Sequence, residues 1–446
     1  MIASDRRNLQ RIVVSGVVGA VVGAMAVPCR PVGEGAGALA LAPDASLARY
    51  RYPIATVEDA SQIASTIAAL ESRIKDLPDP FAAAELADLY YRRAQLEGDR
   101  RDYATSEAMA KRSLELLAKP NGATLTLAKL KNAHHEFREA IEFAHKQLES
   151  KASAGAYIAI ATAHLALGEL PAAMQAAHRA IALKPDTNGY STRALVLQAQ
   201  GRDVEAVFDF GRAVALEEPG DKQGAAKLRA LWGRFLLRRG EYAGSAIVLD
   251  EAVRIVPGFP LALACRGELA LRTGNPADAR KFFEEAFRAS RQVRYLIDQA
   301  RAQEFAGDRT GADALRALVE KLVRGELAED GLGHRLDLIE VLIDRGRSDQ
   351  LAEALTLARE ELTRRSSSEV RYQLARVLAR TGHADEAIEQ VQAALANGTR
   401  EAQLYELAAQ LEQQHGNTAR AAMYRREAIA LDPADSGWRK LGLGMP

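Results

Sequence analysis

Histidines, cysteines and carboxylates are the side chains from which this chain could build a reactive site, and their spacing is the first thing to read. The densest grouping is His134-His135-Glu136. A helical zinc site needs two histidines four apart with a glutamate between them, so that both imidazoles share one face and the carboxylate can activate water. The eight histidines are His134, His135, His145, His164, His178, His334, His383 and His415, and they hold no such pair. The cluster therefore reads as an interhelix turn, while His383 and His415 read as helix-end residues, where a cation suits the dipole. No serine stands in a Gly-x-Ser-x-Gly elbow. No glycine loop has the form that cradles phosphate, and the carboxylates scatter as they do on solvated helix faces. Cys265 lies in the apolar run LALACRGELAL and reads as a small buried residue. Neither catalysis, a cofactor nor a metal is expected.

Bulk composition narrows the class further. Lys+Arg and Asp+Glu both number 59 in 446 residues, so the basic excess that marks nucleic-acid binding is missing. Hydrophobic residues make up 48%, which is ample for a large core. Alanine, leucine, arginine and glutamate are prominent, and their side chains lose little freedom in a helix.

The first residues are set apart. Arg6, Arg7 and Arg11 precede an uncharged run from Ile12 to Val27 that ends near Ala24-Met25-Ala26. A charged start, apolar middle and small end make a secretory signal, here within residues 1–30. Cleavage after Ala26 and retention as an anchor through 12–27 both fit; a lipid on Cys29 or a twin-arginine route fits less well. An extracytoplasmic location, periplasm or cell envelope, is expected. Residues 31–55 are rich in Gly, Ala and Pro and read as a flexible linker.

Beyond the linker the sequence repeats itself. In GEYAGSAIVLDEAVRIVP, Gly240 opens a pattern found again at Gly168, Gly201, Gly274, Gly307, Gly346, Gly382 and Gly416, in steps of 33, 39, 34, 33, 39, 36 and 34. Seven residues before each glycine stand Ala161, Ala194, Gly233, Gly267, Ala300, Ile339, Ala375 and Ala409. Twelve after stand Ala180, Ala213, Ala252, Ala286, Val319, Ala358, Ala394 and Ala428, and five after come alanine or serine except at Leu351. Offsets of five, nine and twelve share one helix face. Small residues there, facing a small residue on the preceding helix, let two helices approach closely. Glycine supplies the left-handed turn between them. Pro185, Pro257 and Pro433 fall seventeen after the glycine and stop the second helix.

Trp232, Gly233, Gly240, Tyr242, Ser245, Leu249, Ala252 and Pro257 together resemble the tetratricopeptide repeat, a helix-turn-helix unit of 34 residues. Tyr157, Ala161, Gly168, Ala173, Ala180 and Pro185 carry a second copy. Weaker units begin at Phe81, with a longer turn around Gly98-Asp99, and at Leu127, where His135 or Glu136 replaces the glycine. The expected fold is all-α, a right-handed superhelical solenoid of about ten such units over 81–434. An N-terminal capping helix is expected over 56–80, with Ile63, Ile67, Leu70, Ile74 and Leu77 as its apolar stripe. That stripe covers the first unit or makes a dimer. Glu217–Ala225 and Val323–Gly333 read as inserted loops. A tail, 435–446, is left to pack Trp438 and Leu441 on the last hairpin.

What the resemblance implies for function is binding rather than chemistry. First helices would line a concave groove, and positions 13, 10, 6, 3 and 2 before each glycine would look into it. These give the candidate groove residues Lys227, Arg234, Arg238, Glu268, Arg272, Arg294, Arg301, Phe305, Tyr372, Arg376 and Arg380, with Leu237, Leu261, Leu271 and Ile297 as further apolar contacts. Arginine forks suit carboxylates. The groove would hold an acidic peptide segment or a chain terminus, or its arginines would simply pair with neighbouring carboxylates. The asparagine and lysine set of chaperone-binding members is not reproduced. The expected role is a protein-binding scaffold for a cell-envelope complex, the alternative being a self-assembling solenoid that forms homo-oligomers.

Overall fold

The structure, a computed structural model, describes residues 45–54, 59–330 and 334–433, all within the compact unit from Ala40 to Pro446. The signal segment, Thr56, Trp438 and Leu441 lie outside the described residues. Two helices precede the repeats, α1 (Ala45–Ala48) and α2 (Asp59–Asp76). Hairpins follow: α3 (Pro80–Glu97) with α4 (Arg100–Leu116), α5 (Gly122–Ala133) with α6 (Phe137–Ser150), α7 (Ala154–Leu167) with α8 (Leu170–Leu183), α9 (Thr187–Ala199) with α10 (Asp203–Ala215), and α11 (Lys222–Leu237) with α12 (Tyr242–Ile255). Five more complete the series: α13 (Pro260–Arg272) with α14 (Pro276–Ser290), α15 (Val293–Phe305) with α16 (Arg309–Asp330), α17 (Arg335–Arg345) with α18 (Ser348–Arg364), α19 (Ser368–Arg380) with α20 (Ala384–Ala396), and α21 (Ala402–Gln414) with α22 (Thr418–Leu431). The described residues thus hold ten helical hairpins and no strand.

The repeat spacing explains each hairpin. Glycine sits in the left-handed region at nine of the ten hairpin turns, for example φ 79° at Gly168 and 75° at Gly240. The next residue then donates its N–H five residues back: Glu169 to His164 O at 2.8 Å, Glu241 to Leu236 O at 3.0 Å, His383 to Leu378 O at 2.9 Å. These bonds satisfy carbonyls that the first helix leaves open at its end. His135 takes the same place without glycine, at φ 61°. In the fifth hairpin Gly233 lies against Leu249, where an added Cβ would come within 2.5 Å of a leucine methyl. The Ser245 hydroxyl donates to Gly233 O at 2.8 Å. The alanine columns are fully buried at Ala161, Ala194, Ala252, Ala286, Ala375 and Ala428.

Three expectations change. Residues 45–54 are docked. Ala48 and Tyr50 are buried on α10, α11 and α12, and the Arg229 guanidinium, itself buried, donates to Ala48 O at 2.5 Å. The Tyr50 N–H donates to the Glu251 carboxylate at 2.6 Å and the Tyr52 hydroxyl to Glu217 O at 2.9 Å, which fixes this short segment in place. The Val323–Gly333 insertion is helical as far as Asp330, because Val323 and Leu327 continue the apolar face of α16 and pack in the core. The Phe81 unit has a short turn at Gly98-Asp99 and owes its length to longer helices.

The stripe of α2 is used inside the chain. Ile63, Ile67 and Leu70 are buried against Ala82, Leu86, Leu89 and Tyr90 of α3.

The coil closes on itself. The turn glycine Gly98 approaches Ser290, Gly168 approaches Ser366 and Ser367, Gly201 approaches Gly398, and Gly240 approaches Pro433. His135 meets His334, ring centroids 5.6 Å apart. The Ser366 N–H donates to Leu167 O at 3.2 Å. Each contact joins residues some 190 to 200 apart, about six hairpins, so one superhelical turn rests on the next along a seam.

Candidate functional site

Closure turns the expected groove into a cavity of about 610 Å³. The first helices of the middle hairpins supply its charged side: Arg234 and Arg238 from α11, Glu268 and Arg272 from α13, Arg294, Asp298 and Arg301 from α15, Glu340 from α17 and Tyr372 from α19. Leu165, Ala166, Leu195, Leu261 and Ala264 form an apolar side. The seam contributes Arg365, Glu369, Arg400 and Glu401.

Seven of the eleven candidate residues therefore share this one cavity: Arg234, Arg238, Glu268, Arg272, Arg294, Arg301 and Tyr372. Four do not line it. Arg376 is buried a layer behind, donating to Asp344 at 2.5 Å and to Gln373 at 2.8 Å. Arg380 turns back onto Ile343 O at 2.5 Å. Phe305 packs with the cluster around Leu271 and Phe283. Lys227 stands two turns before Arg234 on α11. Leu237, Leu271 and Ile297 are fully buried core residues, since three before the glycine (Leu237, Leu271) and ten before it (Ile297) lie on the face that meets the second helix.

Most of the arginines are engaged by carboxylates. Arg294 donates to Glu340 at 2.6 Å and to Asp298 at 2.9 Å; Arg301 also pairs with Glu340. Arg272 holds Glu268 at 2.6 Å, and Arg238 crosses the seam to Glu401 at 3.1 Å. Burial pushes the Glu268 carboxyl up, but Arg272, Arg238 and Arg234 outweigh it and hold it below the ordinary value. Glu340 is likewise held low against burial, by Arg294 and Arg301, whereas burial pushes neighbouring Asp337 up to about 6. Burial takes the Cys265 thiol up to about 12, so this buried cysteine is a protonated, inert wall residue.

Arg234 is the exception. Among the described residues its guanidinium has neither a hydrogen bond nor an ion pair. Lost hydration, and then the charge of Arg238, depress its pKa. Lys227 is similar. It is open to solvent and unpaired, yet enough protein surrounds it for desolvation to lower its ammonium, with Lys129 adding repulsion. The arrangement can hold an anion; the described residues contain no cluster of metal-ligating side chains.

Sequence reasoning missed the seam residues. Arg239 bonds Arg400 O at 2.7 Å, while Asp203 accepts from Arg400 at 2.8 Å and pairs with Arg239 at 3.0 Å. No motif marks these residues, because they meet only once the coil has completed a turn.

No family model matches the chain, and no curated protein does. Solved structures resemble it. They include a human IFIT1 dimer with PPP-AAAA (14% identity, TM-score 0.47, covering 86% of this chain and 98% of that one). A tetratricopeptide repeat protein from Parabacteroides merdae ATCC 43184 is 16% identical, with TM-score 0.38 over 54% of this chain and 93% of that one. The Cut9–Hcn1 hetero-tetramer of APC/C gives 11%, 0.35, 84% and 85%. By their own helices, turn glycines and small-residue columns, the described residues form an all-α solenoid of hairpins that resemble the tetratricopeptide repeat.

Proposed function

We propose that the protein is a non-catalytic binding module that takes an acidic group of a protein partner into its interior cavity. The single observation behind this reading is Arg234. A desolvated guanidinium without a carboxylate is costly to keep, and the same wall shows that carboxylates were available to neutralise it. A partner's carboxylate would restore the missing pair with charge-assisted hydrogen bonds. The volume suits a few residues of chain, falling in the range of small-ligand pockets, and the apolar side gives such a segment something to bury. The leader-like start supports an adaptor role in an extracytoplasmic complex; sequencing the mature amino terminus tests that part. Among the described residues no helix is long and apolar enough to cross a membrane; the tether proposed is the 12–27 segment. With the α2 stripe covered internally, self-association has lost its most obvious surface.

The test is capture from the native source with tagged wild type and Arg234→Glu. Loss of co-purifying partners in a variant of unchanged helicity supports the reading. Retention of the full set overturns it.

A further inference from the structure

Six residues before successive turn glycines stand Leu195, Arg234, Glu268, Arg301, Glu340 and Arg376. Neighbouring first helices thus carry charges of alternating sign, and Arg234 ends the series against an apolar neighbour. The acid beside it, Glu268, is taken by Arg272. One turn along α11, Arg238 lies on the same face as Arg234 and lines the same cavity.

The pair that Arg238 makes with Glu401 is the most exposed of the ion pairs inside the cavity. Its one contact is 3.1 Å long, and its side chains are 36% and 31% exposed. By contrast Arg272 meets Glu268 at 2.6 Å with side chains 5% and 20% exposed, and Arg294 meets Glu340 at 2.6 Å with the glutamate 4% exposed. Partly exposed pairs contribute little to stability, so a competing carboxylate can displace one. Glu401 also has another place to go. It is the N-cap residue of α21, in extended backbone, yet its side chain accepts no N–H of that helix, although a carboxylate is favoured at a helix N-terminus. It reaches across the seam instead, and its charge is felt at Arg234 as well.

Building on the cavity reading, we infer that Glu401 is an internal stand-in for the partner's carboxylate. It holds Arg238 until an acid enters; the incoming carboxylate then takes its place, and Glu401 turns back to cap α21. Side chains four apart on a helix are neighbours, with Cβ atoms about 5–6 Å apart, so one carboxylate can bond the guanidiniums of both Arg234 and Arg238. Glu401 therefore sets how strong an acid group must bind to be admitted.

Full-length protein is titrated with two rhodamine-labelled pentapeptide amides, Gly-Leu-Glu-Leu-Gly and the same sequence with glutamine at its centre, and fluorescence anisotropy reads the affinities. The glutamate peptide should bind the wild type more tightly than its glutamine counterpart. Glu401→Gln should tighten the glutamate peptide about fivefold further, the scale of a partly exposed ion pair, and leave the glutamine peptide unmoved. Adding Arg238→Gln to Glu401→Gln should remove the gain. Asp203→Ala, which loosens the seam but leaves Glu401 on Arg238, should give none. Circular dichroism checks that each variant keeps its helicity. A glutamate peptide that binds Glu401→Gln no better than wild type, or gains equally in Asp203→Ala, overturns the inference; the cavity reading survives that result if the preference for glutamate is lost in Arg234→Glu. No preference for glutamate in wild type or any variant overturns both.

Discussion

The turn glycines of the two superhelical turns have the same backbone and different surroundings. Gly168, Gly201 and Gly240, in the first turn, are left-handed at 79°, 69° and 75°, and Gly274, Gly382 and Gly416, in the second, at 81°, 82° and 79°. Around the second set there is open space. A Cβ on Gly201 would come within 2.8 Å of Gly398 O, and one on Gly240 within 2.7 Å of Pro433. One residue type at one repeat position thus does one job in the second turn and two in the first. The second job, close approach of backbone between turns, depends on how far the coil winds per hairpin. That is a global property which no single repeat contains.

The strongest perturbation lies inside a hairpin and spares neither turn. Gly233→Leu should overpack the contact with Leu249, which an added Cβ already crowds. Overpacking of this kind costs about 1–3 kcal/mol or more, and chemical denaturation should show a clear loss of global stability. Asp203→Ala acts on the seam. It leaves Arg239, a buried guanidinium, without its carboxylate, a type of change that costs about 3–5 kcal/mol when the pair is fully buried. Arg239 keeps the carbonyls of Arg400 and Gln198 and Arg400 is more exposed, so a loss below that range, and below that of Gly233→Leu, is expected. The loss should appear as opening between turns while helicity persists.

Paired glycine substitutions sharpen the comparison. Gly201→Ala and Gly382→Ala both force a side chain into the left-handed region, about 1 kcal/mol each. Only Gly201→Ala adds a backbone clash, so it should be the more destabilising in thermal melts and the only one of the two to raise exchange at the seam. Equal effects would mean that the turns do not touch.

The smallest effect is expected at His135. It carries a left-handed backbone without being glycine, and although the residue is exposed the surrounding protein holds its ring down to about 4 by desolvation, then through Arg365, His334 and His134, so solvent screening keeps the linked stability small. The unfolded chain takes up this proton near the ordinary histidine value, before the folded one does. Stability linked to His135 is therefore complete above about 6.5 and declines as pH falls towards 4. His135→Gly should add about 0.5–1 kcal/mol from the backbone and flatten that part of the pH–stability curve.

These differences explain what could be read from the residues. The hairpins were legible because Ala161, Gly233, Ala286 and their equivalents obey local spacing, and helix contacts within a unit depend on spacing alone. Seven cavity residues were legible for the same reason, through their fixed offset from the glycine. Glu401, Arg400 and Arg365 were not, since they sit in the connections between hairpins, at no fixed offset from a turn glycine. Tyr50 was hidden because ten residues of irregular chain carry no period. The pairing of Arg294 with Glu340 and the isolation of Arg234 were out of reach as well, because both arginines sit at groove positions and only geometry separates them.

The closed coil is the claim on which the cavity, and everything placed in it, depends. Its most direct test is hydrogen exchange resolved to the Ser366 amide, which lies in the loop between α18 and α19 and whose partner is Leu167 O, 199 residues earlier. Protection well above that of a free loop, lost in Asp203→Ala, is the predicted result. Exchange at the rate of an unstructured peptide in the wild-type protein would contradict it and reopen the cavity as an ordinary groove.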